Sequence, residues 1–147
     1  NPGAERLIRT LRGLGIRVAV VSGGFTFFTD RLAGDLGLDA TEANELEIVN
    51  GELTGEVRGS IVDGARKAAF LGELLDRYNL GPERAIAMGD GANDLPMIES
   101  AGLGIAYHAK PKVRDAAPYN LASGQLDGVL YLLGLTDEQI AYYSDGC

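Results

Sequence analysis

Two short apolar runs, each followed by glycines and polar side chains, limit what this chain can fold into more than any other feature. Residues 17–21 read RVAVV, residues 84–88 read RAIAM, and a third apolar run covers residues 103–107. Such continuous runs are typical of parallel strands that helices cover on both faces. The segments between them have helical periodicity, so the sequence predicts an α/β fold with a parallel sheet. Ligands bind such sheets at the carboxyl ends of the strands, where this chain has Ser22 and Asp90.

Helices and one hairpin account for much of the remaining chain. Apolar residues alternate with glutamates on both sides of Asn50-Gly51, a dipeptide typical of a type I′ turn, so a half-exposed β-hairpin is predicted there. We predict helices over residues 4–14, 26–36 and 64–78, a short helix that ends near Ser100, and another helix near residues 129–133. The length is that of one domain, and we expect a single domain over residues 1–147.

Charge and apolar pattern exclude two classes of partner. Thirteen basic and 21 acidic residues give a net charge of −8, and no basic stripe could bind a phosphate backbone, so nucleic-acid binding is not expected. No apolar run approaches the roughly 20 residues that span a bilayer, so we expect no membrane contact. The single cysteine, Cys147, excludes an intrachain disulfide and fits a cytoplasmic location. A small phosphate-bearing ligand would need a local lysine, metal ion or helix N-terminus to offset the net charge.

The segment GDGAND, residues 89–94, combines two glycines, two carboxylates and an amide between a strand and a helix. Clustered oxygen ligands of this kind suit Mg²⁺, which takes one or two carboxylates together with substrate phosphate oxygens. The same residues are also typical of a plain turn in which Asn93 caps the next helix, Asp94 interacts with its dipole and Asp90 only turns the chain. Composition alone leaves both interpretations open.

Ser22 and Lys67 each have a structural and a functional interpretation. The Ser22 hydroxyl and the amides of Gly23 and Gly24 could hold an anion, although a plain turn serine is the more common case. A serine hydrolase is not indicated, because the glycine that precedes the nucleophile by two residues is absent. Lys67 falls on the apolar stripe of its helix, so its ammonium group either reaches past that stripe to solvent or enters the acidic end of the sheet.

Four segments together resemble phosphoserine phosphatases of the haloacid dehalogenase superfamily, in the order in which the family has them. They read VAVVSGGFTFFTDRL, ANELEIVNGELTG, IVDGARKAAFL and AIAMGDGANDLPMIESAGLGIAYHAKPKV. The resemblance runs from about Pro2 to Leu133 and implies a Rossmann-like hydrolase core with a β-hairpin. It also implies that four residues bind the phosphoryl group: Ser22 through its hydroxyl, Gly23 through its amide, Lys67 through its charge, and Asn93.

The resemblance further implies a Mg²⁺ cofactor and a small phosphomonoester substrate. Asp90 would be a direct metal ligand, and Asp94 would support the metal from just outside its coordination shell. The expected catalytic residues are Ser22, Lys67, Asp90 and Asp94. The implied reaction is hydrolysis of O-phospho-L-serine to L-serine and phosphate, a step of serine biosynthesis. A phosphatase of other small phosphomonoesters and a non-catalytic, phosphate-binding or self-assembling module are the alternatives.

One motif of the family has no counterpart among these 147 residues. The family begins with Asp-x-Asp, whose first aspartate is the nucleophile and whose second is the general acid/base, and a cap domain selects the substrate. We therefore expect an incomplete core without a cap, inactive by itself, in which the central nucleophile strand is missing between residues 17–21 and 84–88. The gap would be roughly 10 Å wide, two strand spacings. It would close, be filled by water or a loop, or take a strand from another chain, and open edges favour self-association.

Overall fold

The computed structural model of the chain describes residues 1–145, so Cys147 lies outside the described residues. The helices are α1 (Ala4–Gly13), α2 (Thr26–Leu36), α3 (Gly64–Tyr78), α4 (Leu95–Ser100), α5 (Pro111–Ala116), α6 (Val129–Leu132) and α7 (Asp137–Asp145). The strands are β1 (Ala19–Phe25), β2 (Ala40–Val49), β3 (Glu52–Arg58), β4 (Ile86–Gly89), β5 (Leu103–Tyr107) and β6 (Tyr119–Leu121). None of these helices is long and apolar enough to cross a membrane.

The strands of the described residues form two sheets of three strands each. One has the order β1-β2-β3 and contains the hairpin, and the other has the order β4-β5-β6. Strands β4, β5 and β6 are parallel, with Gly89 opposite Ala106 in the register of β4 and β5. The predicted α/β fold with a parallel sheet is confirmed. Strands β1 and β4 are each the end strand of a separate sheet. Whether a further strand belongs between them stays a prediction.

The predicted hairpin is confirmed together with its turn. Strands β2 and β3 pair antiparallel and are connected by Asn50 and Gly51, whose φ angles are 52° and 83°. Positive φ at both central positions is the signature of a type I′ turn. The apolar side chains face each other across the strands, Leu46 opposite Val57 and Ile48 opposite Leu53. The Ile48 and Leu53 pair is exposed, so this hairpin has an apolar face outside the core.

The prediction for the first strand is wrong in its bounds. The strand begins at Ala19 instead of Arg17 and continues through Phe25, so Ser22 and the two glycines after it lie inside β1 and not beyond its end. The start moves because the backbone of Val18 is bonded to Asp39, whose carboxylate accepts from the Val18 N–H at 2.8 Å. Glycine disfavours strands by local propensity, but the neighbouring strand β2 holds these glycines extended, as described below.

The prediction for the second strand is also shifted, by two residues at its start. Arg84 belongs to a 3₁₀ turn, Pro82–Arg84, and the strand begins only at Ile86. Proline at the first position favours this turn, because its fixed φ suits a helical start and its missing N–H costs nothing there. Helix α5, strand β6 and helix α7 were not predicted, since each is short and has little periodicity to detect.

The chain divides into two compact units, each with its own core. Among the described residues, the first consists of residues 1–20, 30–41 and 123–145, and its core includes Leu7 of α1, Leu130 of α6 and Ile140 of α7, which are all buried. Helices α1 and α7 pack closely, because Gly13 has no Cβ to collide with the backbone of Tyr143. The single-domain expectation stays a prediction.

The second unit, residues 21–29 and 42–122, contains all of the predicted site residues. Its core includes the buried residues Ile98 of α4, Ala106 of β5, and Val113 and Ala117 around α5. Helix α4 packs against α3 as well as against β4 and β5. These contacts fix the position of the loop between β4 and α4, which carries the GDGAND segment, relative to the first turn of α3, which carries Lys67.

Candidate active site

Lys67 is buried and forms an ion pair with Asp94. Helix α3 begins after Asp63, whose side chain accepts a hydrogen bond from the Arg66 N–H at 2.8 Å, so Lys67 lies in the first turn. Its Nζ donates to Oδ1 of Asp94 at 2.6 Å, and both residues are only 6% exposed. Of the two interpretations of this lysine, the one that takes its ammonium group into the acidic end of the sheet is therefore confirmed.

Asp94 organises the GDGAND loop around its second oxygen. Oδ2 accepts hydrogen bonds from the amides of Asp90 at 3.1 Å and Gly91 at 3.0 Å. Gly89 makes this possible, because a Cβ at that position would lie 2.3 Å from the Cβ of Asp94. Both carboxylate oxygens of Asp94 are thus occupied, one by an ammonium group and one by two amides. A buried carboxylate requires such compensation.

The plain-turn interpretation of this loop is wrong in one respect. Helix α4 starts directly after Asp94, and no side chain forms a capping hydrogen bond there, so Asn93 does not cap the helix. Asn93 is exposed, and its backbone lies against the start of α3, where a Cβ on Gly64 would be 2.8 Å from the Asn93 carbonyl oxygen. Its side chain lies over Gly91 of the same loop, where an added Cβ would be 2.6 Å from the Asn93 Oδ1.

Ser22 and Gly23 are held by a residue that the sequence patterns did not single out, Asn44 on β2. The Asn44 side chain donates from Nδ2 to the Gly23 carbonyl at 2.8 Å and accepts at Oδ1 from the Val62 N–H at 2.7 Å. Asn44 is only 7% exposed. The sequence does contain a signal for Asn44. It is a polar residue at a position that the alternation with Leu46 makes apolar, just as Lys67 is a charged residue on an apolar helical stripe.

Arg66, next to Lys67, binds two glutamates. Its guanidinium group donates to Glu42 on β2 at 2.7–3.0 Å. It also donates to Glu73, seven residues further along α3, at 2.6 and 2.9 Å. These hydrogen bonds raise the pKa of Arg66 above its ordinary value and lower the pKa of Glu73. The contact with Glu42 connects the first turn of α3 to β2, the strand that also carries Asn44.

Asp90 is the carboxylate of the loop that is free to bind a cation. It is exposed, and its side chain makes no ion pair within residues 1–145. Over the same residues, no three His, Cys, Asp or Glu side chains converge to form a complete metal site. The donor chemistry nevertheless fits Mg²⁺, because this ion uses one or two protein carboxylates and completes its shell with water and phosphate oxygens.

The structure brings some of the predicted residues together and leaves others apart. Lys67, Asp94 and the backbone of Asp90 form one hydrogen-bonded group. Ser22 lies in the other sheet, and within the described residues no hydrogen bond connects its side chain to that group. Its strand is connected to the start of α3 by the Asn44 side chain, which donates to the Gly23 carbonyl and accepts from the Val62 N–H.

Comparisons with known proteins bear on the family and the fold of this chain. The family model described as haloacid dehalogenase-like hydrolase matches residues 1–99. A Streptomyces coelicolor protein named phosphoserine phosphatase is 54% identical over 140 residues, which covers 95% of this chain and 34% of that protein.

Two solved structures have the same fold as this chain. The crystal structure of a probable phosphoserine phosphatase from Vibrio cholerae, in unliganded form, is 43% identical with a TM-score of 0.87, and the match covers 99% of this chain and 43% of the other. A phospho-aspartyl intermediate analogue of phosphoserine phosphatase is 38% identical with a TM-score of 0.83, over 88% of this chain and 62% of the other. The chain thus spans between 34% and 62% of the length of these three proteins.

Proposed function

Because the chain belongs to the haloacid dehalogenase-like hydrolase family, we propose that it is the phosphate-binding core of a Mg²⁺-dependent phosphatase that hydrolyses O-phospho-L-serine to L-serine and phosphate. The observation that carries this proposal is the buried ion pair of Lys67 and Asp94, whose second oxygen organises the Asp90 loop. The names of the relatives support the choice of phosphoserine. Other small phosphomonoesters are the alternative substrates within the same reaction class.

In this proposal the residues of the site bind and orient a phosphoryl group. The Ser22 hydroxyl and the Gly23 amide donate hydrogen bonds to its oxygens, and Asn93 contacts it from the other loop. Lys67 neutralises part of its charge, and Asp94 keeps the ammonium group in one position. Donors that are fixed before the ligand arrives need no reorganisation during reaction, which is the main source of electrostatic catalysis.

Asp90 would hold Mg²⁺, with Asp94 supporting it from outside its coordination shell. The ion would neutralise charge on the phosphoryl oxygens when bound. Asp94 contributes by accepting hydrogen bonds from the amides of Asp90 and Gly91. These bonds fix the loop backbone and so set the direction in which the Asp90 side chain points. Synthesis of serine from its phosphate would be the metabolic role, and a cytoplasmic location stays a prediction that rests on the single cysteine.

Phosphate binding tests this proposal. Titration of the chain with inorganic phosphate in the presence of Mg²⁺ is expected to give saturable binding, and Ser22→Ala is expected to raise the Kd about tenfold, since a hydrogen bond to a charged group is lost. Ser100→Ala is the matched control, because Ser100 is an exposed serine at the end of α4 near the amino end of β5, whereas Asp90 follows the carboxyl end of β4 in the same sheet. No measurable binding, or equal Kd values for both variants, would refute the proposal.

A second candidate, a self-assembling module, is favoured by one observation. Strands β1 and β4 are both end strands, each with one edge unpaired within residues 1–145. Such edges pair with any edge they meet. Sedimentation velocity at low micromolar concentration is expected to show a species heavier than the 15.5 kDa monomer. A compact monomer with exchange-protected amides in both strands would contradict self-assembly.

A further inference from the structure

We infer that Asn44 is a positioning residue for the phosphate site, which acts by setting the direction of the Ser22 hydroxyl proton. The inference rests on the proposed function, because it assumes that Ser22 donates to a phosphoryl oxygen. Within residues 1–145 Asn44 forms no hydrogen bond with Lys67 or Asp94. Its effect passes through one peptide group, the one between Gly23 and Gly24.

The peptide group between Gly23 and Gly24 is hydrogen-bonded on both sides. A peptide is planar and trans, so its carbonyl and its N–H point in opposite directions and cannot turn independently. The carbonyl of Gly23 accepts from Asn44 Nδ2 at 2.8 Å, and the N–H of Gly24 donates to Ser22 Oγ at 3.0 Å. The hydrogen bond from Asn44 to the Gly23 carbonyl therefore fixes the direction of the Gly24 N–H. That direction makes the Gly24 N–H the donor to Ser22 Oγ.

The hydrogen bond from Gly24 leaves the Ser22 hydroxyl proton free to be donated. A hydroxyl group has one proton to donate and two lone pairs to accept with. Because Ser22 Oγ already accepts from Gly24, its own proton points away from that amide and is available to an incoming oxygen. A phosphoryl group offers only acceptors, so this arrangement presents the serine in the form that the ligand requires.

The Gly23-Gly24 segment needs a contact from outside to hold its conformation. Gly23 and Gly24 form a very flexible dipeptide, and both are exposed and have no side chain of their own to pack, so their conformation depends on contacts from neighbouring residues. Asn44 is buried and has a unique orientation, since its donor end meets a carbonyl and its acceptor end meets the Val62 N–H at 2.7 Å. Val62 directly precedes Asp63, the N-cap of α3, so the same amide also fixes the entry to the helix that carries Lys67.

The test compares two Asn→Asp substitutions. Asn44→Asp keeps an acceptor for Val62 but turns the donor that faces the Gly23 carbonyl into a second acceptor. Asn120→Asp makes the same change of charge at an exposed asparagine that also donates to a carbonyl, that of Arg114 at 3.0 Å. We expect Asn44→Asp to raise the Kd for inorganic phosphate about tenfold and Asn120→Asp to leave it within twofold.

A double-substitution cycle separates positioning from general destabilisation. On the Ser22→Ala background the effect of Asn44→Asp is expected to fall below about threefold, because the hydroxyl through which it acts is gone. Thr10→Val removes a fully buried hydroxyl in the first unit, where Thr10 Oγ1 donates to the Arg6 carbonyl at 2.8 Å, and serves as the control for lost stability. An Asn44→Asp variant that loses stability like Thr10→Val while keeping its phosphate affinity would overturn the inference.

A second measurement needs no ligand. Hydrogen exchange at the Gly24 amide is expected to be at least about tenfold faster in Asn44→Asp and in Asn44→Leu than in the wild type, and unchanged in Asn120→Asp. Unchanged exchange would show that Asn44 does not control this amide and would refute the inference. If exchange responds but the wild type does not bind phosphate, the proposed function fails and the hydrogen-bonded connection from Asn44 to Ser22 stands as a structural one.

Discussion

Lys67→Met is expected to lower the free energy of unfolding by about 3 kcal/mol, a large share of the roughly 5–15 kcal/mol that stabilises a typical domain. The substitution keeps most of the volume of the side chain but removes the charge that compensates Asp94, which is 6% exposed. Asp94 would keep its hydrogen bonds from the Asp90 and Gly91 amides and lose its ionic partner at 2.6 Å. Urea denaturation measures the change.

Arg9→Met is the control for this prediction. Arg9 and Glu5 form an ion pair at 2.7 Å on α1, but their side chains are 58% and 64% exposed. Exposed pairs of this kind contribute little, so the expected change is below about 0.5 kcal/mol. A loss for Lys67→Met as small as that for Arg9→Met would mean that the buried pair does not support the fold.

A double-mutant cycle of Lys67→Met and Asp94→Asn separates the coupling energy of the ion pair from the effects of the two single substitutions on stability. Each single substitution leaves one buried charge without its partner, whereas the double substitution leaves none. The double variant is therefore expected to be more stable than the sum of the two single effects predicts, by at least about 1 kcal/mol. Additive effects would show that the contact between Lys67 Nζ and Asp94 Oδ1 carries no coupling energy.

Lys67 shows why part of this site was accessible from the sequence. A lysine on an apolar helical stripe is conspicuous, since lysine is almost never fully buried without a partner. The pattern could not identify that partner, because Asp94 lies 27 positions away and reaches Lys67 only through the packing of α3 against α4. The hydrogen bonds of Asp94 to the loop amides depend likewise on Gly89, whose missing Cβ matters only once the loop is folded.

The first strand shows where local reasoning failed. RVAVV has the propensity of a strand and SGGF does not, yet β1 runs from Ala19 to Phe25. Two tertiary contacts override propensity at its two ends: the Asp39 carboxylate at the Val18 amide and the Asn44 amide at the Gly23 carbonyl. The turn of the hairpin was predictable by contrast, because Asn50 and Gly51 determine it through their own preference for positive φ. The register shift between Leu46 and Ile48 was not predicted.

The largest expected effect concerns turnover. The 147-residue chain is expected to bind phosphate and to hydrolyse phosphoserine at least about 10⁴-fold more slowly than a full-length phosphoserine phosphatase assayed in parallel, because no Asp-x-Asp motif is present among its residues. Phosphate release from phosphoserine in the presence of Mg²⁺, with a preparation free of other phosphatases, measures this rate.

Neither Ser22 nor Asp94 is placed to substitute for the missing nucleophile. Within residues 1–145 the Ser22 side chain is hydrogen-bonded to the Gly24 amide and not to a base, and the single histidine, His108, is exposed and stacks on Tyr107. Asp94 is committed to Lys67, which leaves Asp90 as the carboxylate of the loop able to attack or to hold a metal-bound water. Asp90→Asn is therefore the decisive variant. Mg²⁺-dependent turnover by the wild-type chain that Asp90→Asn abolishes would prove a route without Asp-x-Asp and would overturn the prediction.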